Sequence, residues 1–314
     1  MRITLLCRDT GGYLGKLSAH LEATDEVTFI DVLADLQLPA FLRGKLRAVV
    51  KRHLSARRAL KLLKAAAPHE RLLIVNPGQL DKRLVDAALA QAQVKVAYLC
   101  DGIDRLNMPV HALQPFDRVY TFDAYDAQQY GLRKLHNFIY EDRRGWPTSD
   151  TYSAFIVMAG KDRLPQLEGI AQALDAAGHG HFKFLVQGKP REGLHPNIEF
   201  FKARLSLDDV SQWLRESTVL VDIVRPGHTG LSFRFFEALL YGKKIITNNL
   251  SVRNYDFYNP ANILVLNAEA VNIPLEFLET AYVPVAAHIV ERYSMHAWAS
   301  EVFAPWGTAD AGTR

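Results

Sequence analysis

The residues with the most chemical content lie between Asp222 and Asn249. An apolar run at 219–224 reads as a buried strand that empties into a loop holding Arg225, Gly227, His228, Thr229 and Gly230. A helix is expected from Ser232 to Tyr241, stopped by Gly242, and a second strand from Lys244 to Thr247. The first N–H groups of such a helix have no partner inside it, so they make a ready seat for phosphate. One carboxylate, Glu237, rides on the otherwise apolar body of Phe235, Phe236, Ala238, Leu239 and Leu240, where it can accept two neighbouring hydroxyls of a ribose. Asn248 follows the second strand and can bond a hydroxyl or a base edge. Together these parts fit a nucleotide mono- or diphosphate. Each also has a plainer reading: Glu237 as a helix-face ion pair, His228 as a satisfied loop histidine, Ser232 as a helix cap.

A second turn of this kind is Gly160-Lys161-Asp162-Arg163, after an apolar run at 154–158. Glycine permits the tight turn, while Lys161 and Arg163 can meet a phosphate as point charge and planar fork. In the first half of the chain the acids follow strand-like runs. Asp9 comes after 3–7, Asp101 after 96–99, and Asp123 and Asp126 after 118–121. Asp9 and Asp101 are the candidates for a base that takes a proton from an acceptor hydroxyl, with turn and cap roles as the alternatives. No Asp-x-Asp and no spaced His/Cys constellation is present, so no metal site is expected. Gly11-Gly12 lacks the three spaced glycines of a dinucleotide fingerprint.

The run Phe236-Glu-Ala-Leu-Leu-Tyr-Gly-Lys-Lys-Ile-Ile-Thr247 resembles the donor-binding segment of GT-B glycosyltransferases, usually Glu-Ala-x-x-x-Gly-x-Pro-Val-Ile. Its continuation through Asn248-Asn249 and Tyr255-Asp-Phe-Tyr-Asn-Pro-x-Asn262-Ile263, with the segments at 96–101 and 116–126, resembles bacterial enzymes that build lipopolysaccharide and capsule. The resemblance spans roughly residues 1–300. It implies an α/β fold of two Rossmann-like domains facing each other across a cleft, with a C-terminal helix returning to the first domain. It implies transfer of a sugar from a nucleotide-sugar donor to a cell-surface glycan or lipid-linked acceptor, without a metal and with no cofactor beyond the nucleotide-sugar substrate. Carried over by residue, Glu237 meets the ribose. Gly160, Lys161, Arg163, Gly227, Thr229, Gly230 and Asn248 surround the donor. From their chemistry, either Arg225 or His228 is a candidate to stabilise the leaving phosphate, where charge builds as the glycosidic bond breaks, and the Thr229 and Gly230 N–H groups are candidates for the same task. One position departs. Many retaining members carry a second glutamate eight residues before the ribose-binding one, and here that position is Thr229, so the stereochemistry does not carry over. This motivates an alternative, a non-catalytic partner in polysaccharide assembly that keeps the fold. A two-domain nucleotide-sugar epimerase is a further alternative.

The elements that must hold these residues are legible in outline. The chain has 314 residues, 49% hydrophobic and 23% charged, enough for two globular domains. Strand-like runs at 3–7, 27–30, 72–75, 96–99, 118–121, 154–158 and 182–186 are mostly continuous in apolar character, as parallel strands covered on both faces require. Helices are expected near 14–21, 81–91, 165–177 and 206–216, and a last one at about 283–303. The expected domains are 1–146 on the acceptor side, 151–282 for the donor and 283–314 as the returning helix and tail, with the linker from Arg144 to Asp150. Two cysteines, Cys7 and Cys100, make no disulfide framework and fit a reducing compartment. The N-terminal run meets Arg8 and Asp9 too early for a secretory signal, and no apolar run reaches membrane-spanning length. The segment from Phe41 to Lys64 has nine Lys or Arg and no acid, with apolar residues near helical spacing. Two readings stand for the stretch between Arg43 and Lys64, an apolar face on the domain core with a solvated basic face, or contact with an anionic membrane surface; nucleic acid is not expected. The expected location is cytoplasmic, peripheral at the inner face of the cytoplasmic membrane.

Overall fold

The computed structural model describes residues 1–33, 44–141, 148–160, 162–267 and 271–305. The chain divides into two compact units. Unit 1 is Met1–His136 with Met295–Arg314, and unit 2 is Asn137–Ser294.

Unit 1 begins β1 (Arg2–Cys7), α1 (Tyr13–Leu21), β2 (Glu26–Asp31), α2 (Gly44–Ala65) and β3 (His69–Val75). It continues α3 (Lys82–Ala90), β4 (Ala92–Leu99), α4 (Ile103–Leu106), β5 (Arg118–Thr121), α5 (Ala124–Tyr130) and β6 (Arg133–Lys134). The strands form one parallel sheet in the order β2-β1-β3-β4-β5-β6. Leu6, Leu72, Ile74, Ala97 and Leu99 from the sheet share a buried cluster with Ala59 and Leu63 of α2 and Leu84, Ala88 and Leu89 of α3. Fully burying each such leucine or isoleucine contributes about 1.5–3 kcal/mol.

Unit 2 runs β7 (Tyr152–Ala159), α6 (Leu164–Ala176), β8 (Lys183–Gln187), β9 (Ile198–Phe201), α7 (Leu207–Arg215) and β10 (Ser217–Asp222). It goes on to α8 (Phe233–Tyr241), β11 (Lys244–Thr247), β12 (Ile263–Val265), α9 (Leu275–Glu279) and α10 (Ala287–Arg292). Its sheet is parallel too, ordered β12-β11-β10-β7-β8-β9. Successive residues of a strand face opposite sides of a sheet. Ala154, Ile156 and Met158 accordingly pack with Leu167, Ile170 and Leu174 of α6, while Phe155 packs with α7 and α8 through Leu214, Phe235 and Phe236. Both faces of β7 are covered, which is why its sequence is apolar from Ala154 to Ala159. Polar side chains set the helix starts. Asp81 accepts from Arg83 N, Ser206 from Asp209 N, and Ser232 from Arg234 N.

Several expectations shift. The strand expected to reach Val224 ends at Asp222. The basic segment is one helix, α2, with residues 41–43, Arg43 included, outside the described residues. Lys161, residues 144–147 of the expected linker and the tail at 306–314 also lie outside them. The single last helix is replaced by two, α10 and α11 (Met295–Val302). Ile139 N donates to Tyr293 O at 2.8 Å, and Ile139 pairs with Ser294 as an isolated parallel bridge. That strand-like pairing holds residues 293–294 out of helical conformation. α10 belongs to unit 2 and α11 to unit 1, where Trp298 meets Tyr98 edge-on at 5.1 Å and donates Nε1 to His136 O at 3.0 Å. The units thus divide at 136/137 and 294/295, where the sequence reading sets 146 and 282. Asn137 already belongs to unit 2, giving Nδ2 to Leu231 O at 2.9 Å, and Phe138 meets Phe233 edge-on at 5.3 Å. Among the described residues no helix is long and apolar enough to cross a membrane.

The strand orders fix where a ligand belongs. In unit 1 the chain leaves β1 to one side for β2 and to the other for β3. In unit 2 it leaves β7 for β8 and later returns to β7's other side as β10. Ligands of such sheets sit in the crevice at this reversal, outside the carboxyl ends of the strands.

Candidate functional site

In unit 2 the reversal lies between β7 and β10, and the loops that leave these strands, with the one leaving β11, form the site. Gly160 ends the first turn at φ +119°, and an added Cβ would fall 2.9 Å from Asp162 Oδ1 and 3.3 Å from Arg163 Nε and Nη2. Only glycine fits there without strain. Arg163 sits at the cap of α6, and its fork spans the reversal. Nη1 donates to Ile223 O at 2.7 Å and Nη2 to Ala159 O, the ends of the two diverging strands. Asn248 ties in the third loop, accepting from Val224 N at 2.7 Å and donating Nδ2 to Gln166 Oε1 at 2.8 Å. Asn249 Nδ2 reaches Gly230 O at 3.1 Å. Arg163, Asn248 and Asn249 therefore cross-link the three loops.

The loop after β10 turns at Arg225, whose carbonyl accepts from His228 N at 3.1 Å, and Gly227 has φ +81°. Arg225, His228 and Thr229 are half-exposed, and Gly230 is buried. The loop feeds α8, whose cap Ser232 donates Oγ to Asp222 Oδ1 at 2.6 Å while accepting from Arg234 N at 3.2 Å. Burial pushes the Asp222 carboxyl above its ordinary value; the Ser232 bond and the nearby Arg234 and Arg163 charges oppose that rise. The first turn of α8 thus has its cap, its positive dipole end and the Arg225 and His228 side chains on one loop, an arrangement that suits an anion.

Glu237, the residue expected at the ribose, is buried within unit 2. Its side chain is 0% exposed and lies 2.7 Å from Arg234 Nη1, itself 8% exposed. Oε1 accepts from Tyr140 OH at 2.8 Å, and Tyr140 is within 3.4 Å of Ser211 Oγ. The Arg234 guanidinium lies over the Phe155 ring at 5.3 Å. As placed, the carboxylate has no face open to a ribose. It is a buried ion-pair partner that fixes α8 against the 137–141 segment and α7.

The acids of unit 1 are likewise engaged. Asp9 is 6% exposed and accepts from Gly12 N at 2.7 Å and Gly15 N at 2.9 Å, so it closes the turn into α1. Asp101 pairs with Arg105 one turn on at 2.8 Å. Asp123 caps α5, and Asp126 accepts from Ile103 N at 2.9 Å. Asn76 brackets Cys100, donating to its Sγ at 3.1 Å and accepting from its N–H at 3.0 Å. Burial pushes the Cys100 thiol up to about 12, which favours the protonated thiol at neutral pH. Among the described residues no three His, Cys, Asp or Glu side chains group as a metal site would.

Of the residues expected at the donor, the fold brings Gly160, Arg163, Gly227, Thr229, Gly230 and Asn248, with Arg225 and His228, to the loops leaving β7, β10 and β11. Asp9 and Asp101 lie in the other unit. Sequence reasoning missed Gln166, Asp222 and Tyr140. Asp222 had a signal, a lone acid ending an apolar strand ahead of a loop with two glycines. Tyr140 had none.

No family model matches the chain, and no curated protein does. Solved structures do. A sucrose-phosphate synthase from Thermosynechococcus elongatus superposes with TM-score 0.60 at 11% identity, covering 96% of this chain and 97% of its own. HepE of Anabaena, in complex with UDP-glucose, gives 0.53 at 13% identity over 96% and 98%. An alpha-glucosyltransferase in complex with UDP and a 13-mer DNA gives 0.53 at 11% identity over 84% and 81%. The fold is the two-domain Rossmann-like GT-B fold.

Proposed function

We propose that the chain is a glycosyltransferase that moves a sugar from a nucleotide-diphosphate donor to a cell-surface glycan or lipid-linked acceptor without a metal. The observation that carries this is the cross-linked set of loops at the strand reversal of unit 2, on the fold of proteins that hold UDP and UDP-glucose. In this reading Gly160, Arg163 and Asn248 set the shape of the donor seat. The diphosphate rests on the N–H groups of Gly227, Thr229 and Gly230 and on the start of α8. Arg225 and His228 meet the charge that grows on the leaving diphosphate, the task a divalent cation performs in other transferases. Glu237 acts one step removed, holding α8 in place through Arg234 and Tyr140.

Thermal shift and turnover test it. Among nucleotide diphosphates and their sugars, one base should raise the melting temperature by mass action. Arg225→Ala and His228→Ala should lower kcat for donor cleavage or transfer by roughly 10²-fold each with little change in melting temperature. No stabilisation by any nucleotide sinks the reading. A second reading, a non-catalytic assembly partner, is favoured by the enclosure of Glu237. It predicts nucleotide binding with neither hydrolysis nor transfer.

A further inference from the structure

Among the described residues, the fully buried side chains of α2 lie in its C-terminal half. Ala59 and Leu63, 2% and 0% exposed, insert into the unit 1 core against α3 and β2. Toward the N-terminus the apolar residues turn outward. Leu46 is 61% exposed, Val49 64% and Leu54 37%. With half-buried Val50 they fall at i, i+3, i+4 and i+8, a single stripe along the helix. Arg57, Lys61 and Lys64 continue that side of the helix toward its C-terminus, and Arg47, Lys51 and Arg58 line one edge of it. All six are exposed except Lys51, which is half-buried, and α2 contains no Asp or Glu.

We propose that α2 is a docking surface for an anionic phospholipid bilayer, lying in the interface with Leu46, Val49 and Leu54 inserted and its cations at headgroup level. Exposed aliphatic side chains among cations suit this partner because the interface takes both. Apolar groups enter the acyl boundary, and long Lys and Arg side chains reach back to phosphate. A nucleic acid would satisfy the cations and leave the aliphatic stripe in water. A second copy of the chain would cover the stripe and bring two acid-free cationic helices together, which like-charge repulsion opposes. The proposal stands on unit 1 alone and is independent of the sugar-transfer reading.

Co-sedimentation of the full chain with vesicles tests it. Vesicles of phosphatidylcholine with about a third phosphatidylglycerol should pellet the protein, and neutral phosphatidylcholine vesicles should not. Partitioning should fall from roughly 0.05 M to roughly 0.5 M salt, as the screening length drops about threefold. Arg57→Glu, Lys61→Glu and Lys64→Glu together should lower the partition coefficient by about tenfold or more, and so should Leu46→Gln with Val49→Gln, both at unchanged melting temperature. Equal pelleting on neutral vesicles, or no pelleting at all, overturns the proposal. So does binding that ignores the Leu46 and Val49 changes while an RNA or DNA duplex competes it away, which is bare charge attraction. Self-association that those two changes abolish would assign the stripe to a second copy instead.

Discussion

Glu237 and Arg234 face each other from adjacent turns of α8, both nearly sealed from water. Removing one partner of such a pair leaves a buried charge uncompensated, which costs about 3–5 kcal/mol, whereas replacing both with apolar groups is often neutral. Glu237→Gln keeps the shape and a bond to Tyr140 but strands the guanidinium. It should lower unfolding free energy in urea by about 3 kcal/mol, and the double variant Glu237→Leu/Arg234→Met should recover most of the loss. The nucleotide separates this role from ribose binding. With the carboxylate enclosed, Glu237→Gln should lose equal stability with and without saturating nucleotide. Intact apo stability with the nucleotide-induced rise gone would mean that the carboxylate turns outward to the ligand.

The helices act on the site through their first turns. Ser232 closes the α8 start and donates a hydrogen bond to Asp222 at the end of β10, so one hydroxyl serves two elements. Ser232→Ala removes a cap, typically worth about 1 kcal/mol, and takes one of several partners from the half-buried Asp222 carboxyl, worth about 1 kcal/mol more. The expected loss is about 2 kcal/mol by chemical denaturation, with Ser232→Thr retaining most of the stability. Ser232 was legible in the sequence as a cap, and so were β1, β3, β4, β7 and β10, because burial on both faces writes an unbroken apolar run. The short strands β6, β9 and β12 were not legible. Two to four residues at or near a sheet edge leave no such run. The loops around Arg163 and Asn248 were found from residue type and spacing. Glu237 was found from residue type, but its partner Tyr140 was not, since it lies 97 positions away and no local pattern announces it.

At the scale of the molecule, the chain crosses between units at 136/137 and again at 294/295. Unit 2 is therefore one continuous stretch, while unit 1 is completed by α11 from the far end of the chain. The two ends of unit 2 meet. Ile139 N bonds Tyr293 O at 2.8 Å, and Ile139 pairs with Ser294. Unit 2 also carries its own buried clusters on both faces of its sheet. A segment of this length with adjoining termini and its own core meets the physical conditions for independent folding. The fragment 137–294 should express as a cooperative folding unit, and because the proposed donor seat is built wholly from its loops, it should keep the nucleotide preference of the full chain with a Kd within about tenfold. The complementary fragment 1–136 lacks Trp298, which fills the space beside Tyr98, and the Glu301 and Ala304 carbonyls that receive Tyr120, Arg71 and Arg118. It should be unfolded or markedly less stable. Calorimetry and nucleotide titration of the two fragments decide the matter. A folded 137–294 that binds no nucleotide the full chain binds would move the donor seat out of unit 2, and a folded 1–136 would remove α11 from the structural core of unit 1.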